Sequence, residues 1–343
     1  MKPSFARAAR IVLALTLICS LVNVASAQST TARVVGAATS FLATLDEKQR
    51  ASVLFAFDDE KQRARWSNLP VALARRGGLS LQEMNAAQRS AAFALVASVL
   101  SPKGWEKVQQ MMASDEVLKI EAGNNPRFGK DLYYLSILGK PSEHEPWMLQ
   151  FGGHHLALNI TVVGQHGVLT PSLTGAQPAL YTLKGKTVRP LGQESDKAVA
   201  LLRALDAAQL KKAVLSYRLA DLVLGPGQDG KTIQPEGLKA ADMNERQRAL
   251  LLDLISEWTG IVHEAAAAER MSELKAGIND TWFAWSGPTD VAAGSNIVAY
   301  YRIQGPNVVI EYAPQGQGGD PSMHVHSMYR DPTNDYGRKL VAK

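Results

Sequence analysis

Apolar residues recur at helical spacing in four segments of the chain. This pattern predicts a helix in each of them, or two in the case of residues 194–224. The segments are residues 31–57, 79–100, 194–224 and 238–258. Elsewhere apolar and polar positions alternate, which predicts β-strands. These are residues 156–162, 281–288, 296–302 and 307–312. Helices that precede runs of strands indicate the α+β class.

Two of the helical segments open with the same pattern, 159 residues apart. The matching pairs are Gly78-Leu79 with Gly237-Leu238, Met84-Asn85 with Met243-Asn244, and Gln88-Arg89 with Gln247-Arg248. Asn85 and Asn244 are expected to cap the two helices. Further along, Tyr133–Pro141 resembles Tyr300–Pro306, and a β-rich run and then a histidine pair follow each stretch.

These matches predict two duplicated halves, each made of helices followed by an antiparallel sheet, related by a pseudo-twofold axis. The halves span about residues 75–165 and 234–330. Because no linker rich in proline and serine interrupts the chain, we expect the halves to pack as one compact unit. The alternative is that such short matches arise by chance in alanine-rich helices.

The first 27 residues have the three parts of a secretory signal peptide. Lys2, Arg7 and Arg10 precede an apolar run at residues 11–22, and Ala25-Ser26-Ala27 fits a cleavage site. The run is shorter than the roughly 20 residues of a membrane-spanning helix. We therefore expect removal of residues 1–27 and a single domain at 28–343, secreted or periplasmic, with no stable membrane anchor. An uncleaved anchor is the alternative.

The signal peptide also contains Cys19, the only cysteine of the chain. The mature protein would therefore have neither a disulfide bond nor a thiolate metal ligand. Its 34 basic and 32 acidic residues nearly balance, and no basic block is interleaved with aromatic residues. This composition argues against a nucleic-acid partner.

Four of the seven histidines fall in two close pairs. His324 and His326 lie two positions apart, so an extended strand presents both on one face. His155 is in phase with the polar face of the following strand and His154 with the apolar face. Both would bind one ion only if Gly152-Gly153 or a bulge breaks the alternation. All four are candidate ligands of one divalent transition metal, with zinc, copper, iron and manganese left open.

Two further residues are candidates for catalysis. Glu311 lies in a strand near the second histidine pair, and its carboxylate would act as a ligand or as a general base on bound water. Arg302 would bind an anionic group of a substrate through its planar guanidinium. The alternative for Arg302 is a structural ion pair with Glu311 or Asp331.

These residues predict a secreted metalloenzyme, a hydrolase or an oxidoreductase, that acts on a small-molecule substrate at a mononuclear site. The alternative is a non-catalytic metal-binding or metal-handling protein of the cell envelope, with copper or zinc. An open coordination position beside a titratable group would favour the enzyme. The chain lacks a Gly-x-Ser-x-Gly elbow and a phosphate-binding loop.

Taken together, these motifs resemble the DUF3500 family over nearly the whole mature chain. The motifs are Trp147, Gly153-His154-His155, Tyr300–Pro306, Ile310-Glu311-Tyr312, His324-Val325-His326, Arg330-Asp331-Pro332 and Asp335-Tyr336-Gly337. The resemblance implies a domain of unknown function that is often exported. It implies no reaction.

Overall fold

The computed structural model describes residues 29–292, 294–316 and 319–341. The predicted signal peptide lies outside these residues. The α-helices are α1 Thr30–Ala43, α2 Glu47–Val53, α3 Glu60–Arg63, α4 Ala86–Val99, α5 Pro102–Glu121, α6 Gly192–Arg203, α7 Ala207–Ala213, α8 Glu245–Thr259, α9 Glu264–Ala276 and α10 Arg338–Val341. No helix of the described residues is long and apolar enough to cross a membrane.

The strands form one large sheet and a small hairpin. They are β1 Leu54–Phe55, β2 Leu79–Ser80, β3 Tyr134–Leu138, β4 Trp147–Gly153, β5 Leu156–Val163, β6 His166–Val168, β7 Ser172–Ala176, β8 Tyr181–Leu183, β9 Lys186–Val188, β10 Leu238–Lys239, β11 Trp282–Ser286, β12 Tyr300–Gly305, β13 Val308–Pro314 and β14 Val325–Arg330. The large sheet has the order β1-β3-β4-β5-β7-β14-β13-β12-β11-β10, with β2 beside β3 and β6 beside β5. Only the β1–β3 pair is parallel among the described strands. The predicted α+β class is confirmed.

Side-chain caps decide where several helices begin. Asn85 and Asn244 each accept a hydrogen bond from the backbone three residues on, and the glutamine there returns one. This is the capping box, and both predicted N-caps are confirmed. Asp46 forms another capping box, so the predicted helix 31–57 is two helices, α1 and α2. Asp206 likewise begins α7, so residues 194–224 contain two helices, α6 and α7, as the pattern allowed, but the chain after Ala213 is a loop.

The two faces of the large sheet have different coverings. On one face, which we call the helix face, apolar strand residues such as Phe151, Tyr301 and Ile310 pack against the helices in the main core. The other, the loop face, packs a small cluster of Trp66, Leu173 and Met328 with neighbouring apolar residues. Loops from residues 56–78 and 214–237 contact the loop face, and it also carries buried polar side chains.

In the middle of the strand order, β14 of the second predicted half pairs with β7, which lies just beyond the end of the first predicted half. The Tyr-Tyr stretches do not occupy matching places in the sheet. Tyr134 begins β3, the fourth strand from the centre on one side, whereas Tyr300 begins β12, the third strand from the centre on the other. Counted outward from the centre, β3 matches β11 and β4 matches β12. By the same count, the His154-His155 turn between β4 and β5 matches the turn between β12 and β13, and not the segment His324-Val325-His326 at the start of β14.

Candidate metal centre

Three of the four paired histidines converge where β5, β7 and β14 lie side by side. His155 belongs to the two-residue turn that joins β4 to β5, beyond the last strand pair of Gly153 with Leu156. His326 lies on β14, opposite Gly175 of β7. His324 comes directly after the short helical turn Pro321–Met323. The centre is therefore assembled from the turn between β4 and β5 and from the start of β14, which are far apart in sequence.

The imidazole nitrogens of these histidines face one another. The Nε2 atoms of His155 and His324 are 3.0 Å apart, and those of His324 and His326 are 3.2 Å apart. One ligand atom from each residue lies within 4.8 Å of the other two. Two nitrogens bound to one ion at about 2.0–2.1 Å lie about 2.8–3.0 Å apart at the right angles of octahedral geometry and about 3.3–3.4 Å apart in tetrahedral geometry. The spacing is that of a three-histidine metal site.

The backbone at His155 is unusual for a residue with a side chain. Its φ is 60°, in the left-handed region, where histidine is tolerated better than most residues but still at a cost. Gly175 leaves room for the ring. A Cβ atom at Gly175 would lie 3.3 Å from the Cβ of His155 and 2.8 Å from the carbonyl oxygen of Val325. The turn and the facing glycine together hold the ring against β14.

The structure does not bring His154 into this group. Its Nδ1 atom lies 2.6 Å from Oδ1 of Asp115, and its ring stacks on Phe128. On the other side, the ring of His154 stacks on that of His155, with centroids 3.7 Å apart. His154 therefore supports the ring of His155 and is itself held by a buried carboxylate.

Burial favours the neutral form of the central histidine. Burial, followed by the nearby rings of His154, His326 and His324, lowers the pKa of His155 well below its ordinary value. An imidazole must be neutral to bind a metal ion, so this environment keeps His155 in the ligand form at neutral pH.

Two side chains that the sequence analysis missed contact His326. Oδ1 of Asp221 lies 3.4 Å from Nδ1 of His326 and accepts a hydrogen bond from Nε2 of Gln315 at 2.9 Å. Nδ2 of Asn68 also lies 3.4 Å from Nδ1 of His326, and the Asn68 carbonyl accepts from the His155 backbone N–H. A carboxylate on the outer nitrogen of a metal-binding histidine fixes its tautomer and orientation. The sequence analysis did not identify Asp221 as a site residue because it predicted that residues 194–224 are helical.

Glu311 lies on the loop face but is committed to other partners. One oxygen accepts from the backbone N–H of Val223 and from the Tyr300 hydroxyl, both at 2.7 Å, and the second accepts from the N–H of Leu224 at 2.8 Å. Burial raises the pKa of this carboxyl group, against these hydrogen bonds. Glu311 is not part of the histidine group. It fastens the loop that carries Asp221 to the sheet.

Arg302 also has a different partner from those expected. Its Nη2 atom pairs with Oε2 of Glu236 at 2.9 Å, and Asp331 pairs with Arg270 instead. Glu311 lies opposite Arg302 in the strand register, but no ion pair joins them. The guanidinium is 3% exposed, so it fastens the 214–237 loop and is not open to a substrate.

The fold and this centre define a class: an α+β protein whose central sheet carries a cluster of three histidines. The chain belongs to the DUF3500 family, described as a protein of unknown function, and the family match covers residues 27–338. No curated protein and no solved structure is found to match the chain.

Proposed function

We propose that His155, His324 and His326 bind one divalent transition metal ion through their Nε2 atoms. The observation that carries this proposal is the mutual approach of three imidazole nitrogens at metal-ligand spacing. Asp221 would accept a hydrogen bond from Nδ1 of His326 and so hold its Nε2 lone pair toward the ion. The donor set is compatible with zinc, copper, iron and manganese.

We further propose that the protein is a secreted metalloenzyme that acts on a small molecule. Three protein ligands leave at least one coordination position for water or substrate, as in catalytic zinc sites. Such an ion lowers the pKa of bound water for hydrolysis, or as iron or copper supports oxidation. Half-exposed Asp221 lies beside the centre, where a carboxylate can take up a proton.

The test is metal analysis of untagged protein. After removal of metal with a chelator, titration with each of the four metals should give one bound ion per chain and a higher melting temperature. His326→Ala should lower the affinity at least about a hundredfold and remove the thermal shift. His166→Ala is the matched control, because His166 pairs with Glu269 on the surface.

Equal metal affinity in His326→Ala and in the control would contradict the proposed site. If one ion binds but no hydrolytic or oxidative turnover is detected against small-molecule substrate panels, the alternative holds: a metal-binding or metal-handling protein of the envelope.

The location of the protein is proposed from residues 1–27. The charged start, the apolar run and the Ala-Ser-Ala sequence support export with cleavage after Ala27. Mass spectrometry of exported material should find a chain that begins at Gln28. A cytoplasmic protein that retains Met1 would contradict export.

We also infer that the two halves arose by duplication. Gln49 donates to Gln88 and to the Glu83 carbonyl, and Gln209 donates to Gln247 and to the Asp242 carbonyl. The same hydrogen bonds thus recur about 160 residues apart, which supports a common ancestor. Superposing residues 75–165 on 234–330 should place β3 on β11, β4 on β12 and α4 on α8. Unrelated positions of α4 and α8 would refute duplication.

A further inference from the structure

A groove near the metal centre is lined by three arginines. It is bordered by Val71, Arg75, Arg76, Arg127, Leu132 and Tyr134, and its volume is about 500 Å³. The arginines come from two separate loops. Arg75 and Arg76 belong to the 56–78 loop that contacts the loop face, and Arg127 follows α5.

Arg76 carries a positive charge that no acidic side chain balances. Its guanidinium donates hydrogen bonds to the carbonyl groups of Ser67, Leu69, Ala74 and Gly153. Its Nε atom is buried and has no hydrogen-bond partner. Burial lowers the pKa of Arg76 to about 10, and no carboxylate is among the groups that counter this effect. A partly buried cation without a counter-charge is costly, and a bound anion would reduce that cost.

Arg75 and Arg127 are exposed and have no ion pair within the described part of the chain. Asp131, the acidic residue closest to Arg127 in sequence, pairs with Arg89. Two long, unpaired cations thus flank the buried one. Tyr134 and Leu132 supply a half-buried aromatic and apolar wall.

The segment Ser67-Asn68-Leu69 connects Arg76 of the groove to the three histidines. Nη2 of Arg76 donates to the Ser67 and Leu69 carbonyls at 2.7 Å each. Between them, Asn68 contacts His326 with its side chain and His155 with its carbonyl group. The same guanidinium donates to the Gly153 carbonyl at 2.9 Å, two residues before His155. Hydrogen bonds through the segment Ser67-Asn68-Leu69 and through Gly153 therefore connect Arg76 to the segments that carry the histidines.

We propose that this groove binds the anionic group, a carboxylate or a phosphate, of the small molecule that reacts at the metal centre. The inference rests on the proposed metal-dependent function. Arginine guanidinium groups match both anions with two parallel hydrogen bonds. The apolar wall would contact the part of the molecule that connects the anion to its reacting end.

The test measures anion binding to metal-free protein, so that it does not depend on turnover. Inorganic phosphate and succinate are titrated separately by calorimetry at constant ionic strength. The double variant Arg75→Gln/Arg127→Gln should bind the preferred anion at least about tenfold more weakly than wild type. Lys211→Gln/Arg246→Gln removes two exposed positive charges elsewhere and should bind it as wild type does.

Which of the two anions binds more tightly identifies the chemistry as phosphate or carboxylate. No saturable binding of either anion to wild type would overturn the inference, as would an equal loss in both double variants. Metal titration of the same variants separates the two proposals. If Arg75→Gln/Arg127→Gln keeps wild-type metal affinity and loses the anion, the groove is an anion site in its own right. If neither wild type nor variant binds metal, the proposed function fails whatever the anion result.

Discussion

The helix face and the loop face of the central sheet carry opposite kinds of side chain. On the helix face, Phe151, Tyr301 and Ile310 are packed against helices and make few polar contacts. On the loop face the strand positions include Gln150, Glu311 and His326, all buried. Apolar packing tolerates many partners of suitable size, whereas each buried polar group needs a specific partner. The comparison indicates that the helix face provides most of the apolar packing, whereas the loop face carries the buried polar groups, including the proposed metal ligand His326.

On the loop face, hydrogen bonds between neighbouring strands give the buried polar groups their partners. Ser136, Gln150 and Asn159 lie side by side on β3, β4 and β5. Gln62, on the short helix α3 within residues 56–78, donates to Ser136 and Gln150, and Gln150 donates to Asn159. Irregular segments and one short helix cover this face, because they can place a side chain or a backbone group at each polar position.

The largest expected effect is on the helix face. Leu254 on α8 is fully buried in the main core, and Leu254→Ala removes packing that the sheet and helices share. We expect a loss of about 2–5 kcal/mol in the free energy of unfolding, measured with denaturant. Metal stoichiometry should not change. If folded Leu254→Ala protein lost its metal, packing on the helix face and metal binding on the loop face would not be independent.

A smaller effect is expected on the loop face. Asp221→Asn replaces the carboxylate that contacts His326 with a group that holds its imidazole less firmly. We expect metal affinity to fall about 10- to 100-fold, with the unfolding free energy of the metal-free protein little changed. Asp242→Asn, which alters a surface pair with Lys212, is the control. A large loss of metal-free stability with unchanged affinity would assign Asp221 a structural role only.

The smallest expected effect is a change in the pH dependence of the unfolding free energy, at a residue of a helix that packs on the helix face. Glu194 on α6 is buried beside Lys107 and Glu257, and burial raises its pKa above the ordinary value of 4.5. The folded protein therefore holds this proton more tightly than the unfolded chain. The stability it contributes is complete below pH 4.5 and decreases as pH rises through the raised pKa.

Glu194→Gln has no proton to lose at this position. In thermal unfolding, its stability relative to wild type should therefore rise as the pH increases above 4.5. Glu121→Gln, at an exposed position on α5, should show no such trend. A relative stability of Glu194→Gln that stays constant or falls with pH would contradict the expected direction.

Local signals in the sequence predicted the local structure well. Asn85 and Asn244 were identified as caps because the capping hydrogen bonds involve residues only three positions apart. The strand Leu156–Val163 follows from alternation alone. Strand order does not follow from such signals. The Tyr-Tyr match predicted that β3 corresponds to β12, whereas β3 and β11 hold the same place when strands are counted outward from the centre of the sheet.

The site was predicted in part for the same reason. His324 and His326 were placed on one side of the chain by their spacing, and His155 by its phase with β5. The roles of Glu311, Arg302 and Asp221 depend on how the 214–237 loop crosses the loop face. That path is set by contacts between residues about 70–90 positions apart, for which a single sequence has no local pattern.

The position of the proposed metal centre also predicts the stage of folding at which an ion can bind. His155 and His324 are 169 residues apart in sequence, so their approach requires the closure of a very long loop. Contacts of this separation form late, which means that no ion could guide the early steps of folding. Metal should leave the refolding rate unchanged and slow only unfolding, as interactions absent from the transition state do. An exported chain would then travel without its ion and acquire it from whatever its destination supplies.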